Sequence, residues 1–273
     1  MTGNSALTAA EQPYVLRSIS SGVATLTMNR GDRFNPLSME MIAALRAEIE
    51  AVAANAAVRV VVLAANGRGF CAGHDLKEMR GRAGTDSGDK VWQQQLFDAC
   101  AQLMVAITRI PQPVIARVQG IATAAGCQLV SMCDLAVASD AAKFALPGVN
   151  VGVFCSTPAV GVSRNIGRKR AMELLLTGDP IDAETALDWG LVNRVVPLDR
   201  LDEEVGALAD AIAARSAEVV RLGKRTFYDQ LEQNLVGAYG VAGETMACNL
   251  MLDDAAEGID AFLQKRSPVW KSA

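Results

Sequence analysis

Val58-Arg59-Val60-Val61-Val62-Leu63-Ala64 is an almost unbroken apolar run, the pattern of a strand covered on both faces of a sheet. Val23-Ala24-Thr25-Leu26-Thr27-Met28, Val114-Ile115-Ala116-Arg117-Val118 and Leu135-Ala136-Val137-Ala138 also predict strands. Between them the period lengthens. Ser38 is placed to cap a helix whose Met41, Ile42, Leu45, Ile49 and Val52 recur at helical spacing. A further helix carries Leu96, Leu103, Met104 and Ile107 to about Ile110, where Pro111 and Pro113 end it. Asp182 reads as an N-cap, Gly190 as the stop of that helix, and Leu191 to Val196 as a last short strand. From about Leu201 to Arg266 the chain predicts three or four more helices without an evident linker. Gly81 to Lys90 is polar and Gly-rich, and predicts a mobile loop. Strand–helix alternation followed by a helical tail implies an α/β core with a helical C-terminal region. The expected division is a disordered N-terminus over 1–13, a core over 14–200 and a helical region over 201–273.

Two short stretches interrupt this rhythm with small residues. Gly69-Phe70-Cys71-Ala72-Gly73-His74-Asp75-Leu76-Lys77 and Gly120-Ile121-Ala122-Thr123-Ala124-Ala125-Gly126-Cys127-Gln128 each follow an apolar strand. Gly and Ala allow backbone to approach a ligand closely, and two such turns can aim one N–H each at a single carbonyl oxygen, the geometry of an oxyanion hole.

Composition narrows the classes of function. The net charge of −4 argues against a general nucleic-acid or anionic-membrane surface. No apolar run is long enough to span a bilayer, and the start resembles neither a secretory signal nor an Arg-rich transit peptide. Cys71, Cys100, Cys127, Cys133, Cys155 and Cys248 form no CxxC pair and no disulfide framework, so a reduced, cytoplasmic protein is expected. With a single histidine, neither a His-rich metal site nor a Ser-His-Asp triad is easily assembled except around His74 itself, and no metal is expected.

The succession Asn35-Pro36-Leu37-Ser38, Gly69 to Lys77, Gly120 to Gln128, Met132-Cys133-Asp134 and Leu176-Thr177-Gly178 resembles the crotonase (enoyl-CoA hydratase/isomerase) superfamily from about residue 14 to Trp270. Val151 to Pro158 and Phe262 to Trp270 are closer still to one subgroup, the enoyl-CoA hydratase domain-containing 3 type and its bacterial relatives. The resemblance implies the ClpP/crotonase-like α/β fold of repeated ββα units, with a helical C-terminal region that makes homotrimers or dimers of trimers. It also implies an acyl-CoA thioester as ligand and no tightly bound cofactor. It makes the N–H groups of His74 and Ala125 the oxyanion donors, and puts Gln128 and Gly148 where the family's hydratases carry glutamates. Backbone groups of Ala72, Asp75 and Leu76 match the adenine-side contacts. Arg30, Arg33, Lys77, Lys265 and Arg266 are candidate phosphate partners, the last two from a neighbouring subunit. Asn35, Ile121 and Phe262 are further expected contacts to coenzyme A or substrate, Phe262 packing against either the ligand or the core.

Gln128 can orient a water or a thioester but cannot take a proton, and Gly148 offers no side chain, so hydration is expected to be weak while binding survives. The His74 imidazole either points away into packing or serves as general acid/base. Asp75 and Asp134 read as scaffold carboxylates and Glu78 as solvated. Cys155 is either a buried, inert thiol or a nucleophile. The readings that follow are a hydratase/isomerase relative with an atypical site, another acyl-CoA enzyme such as a decarboxylase or thioester hydrolase, or a catalytically silent acyl-CoA binder.

Overall fold

The computed structural model describes residues 12–81 and 86–271. The expected disorder over residues 1–11 lies outside the described residues, as do positions 82–85 of the expected mobile loop. In chain order the strands and α-helices are β1 Val15–Ser20, β2 Val23–Met28, α1 Met39–Ala53, β3 Val60–Ala65, α2 Leu76–Gly81, α3 Asp86–Arg109, β4 Val114–Val118, β5 Ala122–Thr123 and α4 Ala125–Met132. There follow β6 Leu135–Ser139, β7 Lys143–Ala145, α5 Ser156–Asn165, α6 Arg168–Thr177, β8 Ile181–Asp182, α7 Ala183–Trp189 and β9 Arg194–Val196. Four helices close the chain: α8 Leu201–Ala213, α9 Ala217–Leu231, α10 Leu235–Leu250 and α11 Asp253–Leu263.

The main sheet runs β1-β2-β3-β4-β6-β9, with β1 antiparallel to β2 and every other pairing parallel. A smaller sheet, β5-β7-β8, stands beside it. All six residues of β3 are buried, because both faces are covered. On one face, α1 inserts Met41, Ile42, Leu45, Ile49 and Val52, the stripe predicted from spacing. Each such side chain contributes about 1.5–3 kcal/mol on burial. The Ser38 hydroxyl accepts from the Met41 N–H at 3.2 Å and caps that helix. Over the other face, Leu201, Val205 and Ala209 of α8 pack on Val60, Val62, Ile115 and Val137.

Three expectations need correction. Residues 86–90 begin α3 instead of continuing a loop. The last strand is confined to Arg194–Val196, since Leu191 and Val192 are buried in the core ahead of it. A boundary at residue 201 would separate α8 from the sheet it covers, so the outlying helices start with α9. These keep their apolar residues outside: Leu235, Val236, Tyr239, Met251 and Phe262 are each at least 74% exposed.

One buried cluster ties α9 to the core. Asp134, between α4 and β6, accepts from the Val114 N–H (2.7 Å), the Lys224 ammonium (2.6 Å) and the Tyr228 hydroxyl (2.8 Å). Lys224 spends its remaining hydrogens on the carbonyls of Ile107 (2.9 Å) and Gln112 (2.8 Å). Burial lowers the Lys224 pKa while the adjacent carboxylate opposes that shift. The scaffold duty expected of Asp134 is what its contacts describe.

Candidate functional site

Both small-residue turns leave the carboxyl ends of parallel strands, β3 and β4, where α/β sheets commonly place ligands. Two carboxamides hold the first turn. Asn35, fully buried at φ 50°, accepts from the Arg30 N–H at 2.8 Å and donates to the carbonyls of Asn66 (2.9 Å), Phe70 (3.1 Å) and Gly69 (3.3 Å). Gln119 donates to the carbonyls of Ala65 and Gly69, each at 2.9 Å, and of Gly67 at 3.1 Å. Carbonyls drawn inward by two side-chain amides give the turn a fixed shape with its polar groups satisfied.

The second turn is fastened to the first. The Phe70 N–H donates to the Ile121 carbonyl at 3.0 Å, and the Thr123 N–H to the Cys71 carbonyl at 2.9 Å. Glycine is required where they meet. A Cβ on Gly126 would stand 2.1 Å from the Cys71 carbonyl oxygen, and Gly73, at φ +87°, would bring one to 3.2 Å from the Ala125 nitrogen. Gly73, the residue before His74, thus packs against the start of α4 at Ala125. Neither the His74 nor the Ala125 N–H donates in the described turn and loop backbone. Ala124 makes the approach possible by adopting φ 49°, ψ −119°, a conformation that favours glycine.

Residues of both turns border a cavity of about 420 Å³. Ala72, His74, Leu76, Ala125 and Gly148, all expected at the site, border it. Phe97 and Met79 form part of the wall, and the segment from Asn150 to Pro158 supplies much of the rest. No Asp, Glu, Lys or Arg among the described residues borders it.

His74 sets its ring edge-on to Phe97, with centroids 5.3 Å apart, and its buried Nε2 has no partner among the described residues. Burial pushes its pKa down to about 4, so the imidazole is neutral at physiological pH. Cys155 is buried at the wall. Desolvation raises its thiol pKa, and a hydrogen bond from the Gly148 backbone only partly offsets this. The more buried thiols of Cys71 and Cys127 are pushed up to about 12.

Gln128 is 4% exposed and does not border the cavity. Its Oε1 is buried and without a partner among the described residues. At Gly148 there is no space for a side chain. A Cβ would stand 2.3 Å from the Val153 carbonyl oxygen and 2.8 Å from Cys155 Sγ. The Val153 N–H donates to the Gly148 carbonyl at 2.9 Å and closes that corner.

The remaining predicted residues lie away from the cavity wall. Asp75 accepts from the N–H groups of Lys77 (2.9 Å) and Glu78 (3.3 Å) and pairs with Arg33 at 2.5 Å. Asn35 is spent internally, Ile121 lies at the surface, and Lys77 is exposed. Glu78, expected to be solvated, instead accepts from the Met39 N–H at 3.2 Å, at the start of α1. Arg30 is held by the carbonyls of Gln12 (2.8 Å) and Pro13 (3.1 Å), and Arg266 by Glu257 (2.6 Å). Phe262 is 81% exposed, so it is not packed in this chain's core, and Lys265 is exposed near it. Phe97, Met79 and Val153 were missed. Phe97 stands beside the buried stripe of α3, and only the fold turns it toward His74. Among the described residues, no cluster of His, Cys, Asp or Glu is placed to hold a metal ion, and no helix is long and apolar enough to cross a membrane.

Comparison with known proteins identifies the family. The enoyl-CoA hydratase/isomerase family profile matches residues 18–273. A rat protein named enoyl-CoA hydratase domain-containing protein 3, mitochondrial, is 48% identical over 249 residues, covering 91% of this chain and 81% of its own. A crystal structure of an enoyl-CoA hydratase from Mycobacterium smegmatis superposes with a TM-score of 0.91 at 52% identity, covering 95% of this chain and 99% of that one. The crystal structure of human enoyl Coenzyme A hydratase domain-containing protein 3 gives 0.89 at 45% identity, covering 95% and 100%. The crotonase fold and the expected subgroup are thereby established, whereas the expected cytoplasmic location is overturned, because the rat, mouse and human relatives are named mitochondrial. Free cysteines separate reducing from oxidising surroundings; they do not distinguish one reducing compartment from another.

Proposed function

Because the chain belongs to the enoyl-CoA hydratase/isomerase family, we propose that it binds an acyl-CoA thioester in this cavity, its carbonyl oxygen held by the His74 and Ala125 N–H groups. The observation that supports the reading is the packing of Gly73, the residue before His74, against the start of α4 at Ala125, with His74 and Ala125 both bordering the cavity. The N-terminus of α4 starts at Ala125 and favours negative charge developing there.

Hydration of an enoyl thioester needs a group to activate water and one to deliver a proton, each typically worth about 10²–10⁴-fold. Neither is supplied here by a carboxylate at the wall. Gln128 cannot titrate, Gly148 has no side chain, and the Cys155 thiol is held protonated by burial. A site that polarises a thioester without a strong base suits decarboxylation, thioester hydrolysis, or proton transfer assisted by His74 or water. The protein is read as a member of fatty-acid or acyl-CoA metabolism whose hydratase activity is weak. The unburied apolar side chains of α9 to α11 support self-association as a homotrimer or a dimer of trimers, in which Phe262 and Lys265 of one copy reach the coenzyme A of another.

Crotonyl-CoA given to the purified protein should show little loss of conjugated enoyl absorbance; turnover at ordinary hydratase rates would sink the reading of weak hydration. A thioether analogue without the carbonyl should bind about tenfold more weakly than the thioester, since it forfeits both N–H···O hydrogen bonds. Equal binding of the two would refute the amide pair. The closed corner at Gly148 also favours a second reading, a silent acyl-CoA binder. His74→Ala decides between them: turnover lost with binding intact marks a catalyst, and absence of any turnover by the wild type on a broad acyl-CoA panel marks the silent binder.

A further inference from the structure

We propose that the crevice between the end of α3 and the helices α9 and α10 is a second binding site, for a small phosphate-bearing anion. It lies at the amino ends of β3 and β4. Arg109 to Pro111 lead into β4, and Ala56, whose carbonyl accepts from Arg221, leads into β3. The cavity beside His74 and Ala125 follows the carboxyl ends of the same strands. The two sites are therefore separate, and the second does not depend on the thioester reading.

The crevice has a volume of about 520 Å³. Arg109, Arg221 and Arg225 border it, with Glu218 the one carboxylate among the described residues that does so. Such an excess of positive charge stands out in a chain of net charge −4. Arg221 and Arg225 are four residues apart on α9, a spacing at which like charges repel. Half-buried Arg221 donates to the Ala56 carbonyl at 3.2 Å, and the exposed guanidinium of Arg225 has no hydrogen bond or ion pair among the described residues. Burial and then the charge of Arg221 lower the pKa of nearby Arg59, with Asp254 opposing, so the Arg221 charge is felt by its neighbours.

Two features act the other way. Arg109 is paired with Asp229, and α3 ends at the crevice, which disfavours an anion. The start of α9 at Ala217 offsets the second of these. A guanidinium presents five N–H donors in a planar fork that matches phosphate oxygens two at a time. A phosphate group carries up to about two negative charges on three terminal oxygens, enough for Arg221 and Arg225 together, whereas a single carboxylate would leave one of them unmatched. Ile110, Pro111, Leu222 and Leu252 complete the wall with apolar surface, which strengthens such charge pairing.

Inorganic pyrophosphate, titrated calorimetrically into the full chain at fixed ionic strength, tests the assignment. Binding should be saturable. It should weaken at least about tenfold in Arg225→Gln, an exposed position that leaves the fold intact, and further when Arg221→Gln is added. Cys248 borders the crevice and is exposed, while the other five cysteines are buried. N-ethylmaleimide should therefore modify Cys248 alone, and saturating pyrophosphate should slow this several-fold where sodium chloride of equal ionic strength does not. Absence of binding, equal affinity in both variants, or undiminished labelling of Cys248 at saturation would overturn the inference. So would a changed elution volume of Arg225→Gln in size-exclusion chromatography, which would assign the arginines to contact between copies of the chain.

Discussion

Replacing Gly148 by Glu supplies the carboxylate that the family resemblance implies for this position, and it is expected to destabilise the protein without producing a hydratase. The obstacle is Cβ itself, which would stand 2.3 Å from the Val153 carbonyl oxygen and 2.8 Å from Cys155 Sγ. The first of these is backbone, pinned by the 2.9 Å bond from the Val153 N–H to the Gly148 carbonyl, so it cannot swing aside as a flexible side chain would. Relief requires the whole 148–155 corner to open. Overpacking of this kind costs about 1–3 kcal/mol. At roughly 2–4 °C per kcal/mol for a domain near this size, the melting midpoint should fall by about 5 °C. Gly148→Ala should already show most of the loss, because the clash precedes any carboxylate. Thermal unfolding followed by circular dichroism measures both variants, and crotonyl-CoA absorbance below the transition then reads activity in whatever remains folded. An unchanged midpoint for Gly148→Ala would refute the packing argument. Hydration at ordinary rates by Gly148→Glu would refute the idea that the corner has closed on the site.

Ala124→Gly should stabilise the protein by about 1 kcal/mol in urea unfolding, since relief of roughly 1–3 kcal/mol of strain at φ 49°, ψ −119° exceeds the added unfolded-state entropy; a loss of stability would mean that residue 124 carries no strain. Lys224→Met leaves Asp134 without its buried cation and should cost about 3–5 kcal/mol, whereas adding Asp134→Leu should recover part of this, so simply additive losses would contradict an ion-pair origin. His74 has a folded-state pKa of about 4 against about 6.5 in an unfolded chain. Below the unfolded value the unfolded chain takes a proton the folded one refuses, so about 3 kcal/mol should be lost as pH falls from roughly 6.5 to 4, and none above. As the sole histidine, its imidazole resonance reports this directly, and a midpoint near the unfolded value would remove the basis for a neutral, desolvated ring.

The elements visible in the sequence are those whose cause is local. The α1 stripe from Met41 to Val52, the Ser38 and Asp182 caps and the Gly190 stop each depend on a few neighbouring residues, and each stands where spacing placed it. β3 is legible because burial on both faces leaves a continuous apolar run. β1 is not: only Val15 of its six residues is buried, so no alternation marks it, and it exists through pairing with β2. β5, β7 and β8 have two or three residues each and are made by contacts between segments far apart in the chain. The start of α3 was hidden by the Gly-rich composition around Ser87 and Gly88.

The same distinction separates the legible from the illegible parts of the site. The two turns were readable because consecutive Gly and Ala residues report close backbone approach directly, and Gly126 against the Cys71 carbonyl is such an approach. Side chains assigned by position fared differently, because position along a motif does not say which way a group faces. Asn35 spends both ends of its amide on backbone inside the first turn, and Gln128 lies off the cavity wall. Residue 148 is the decisive case. From sequence it is a missing glutamate, a subtraction that leaves a hole where a base should be. In the fold there is no hole: Val153 and Cys155 occupy the volume a side chain would need, and the bond between residues 148 and 153 keeps them there. A site that had only lost a carboxylate could be repaired by one substitution, whereas here a backbone carbonyl and a thiol fill the space a side chain would need, and the 148–155 segment would have to be rebuilt.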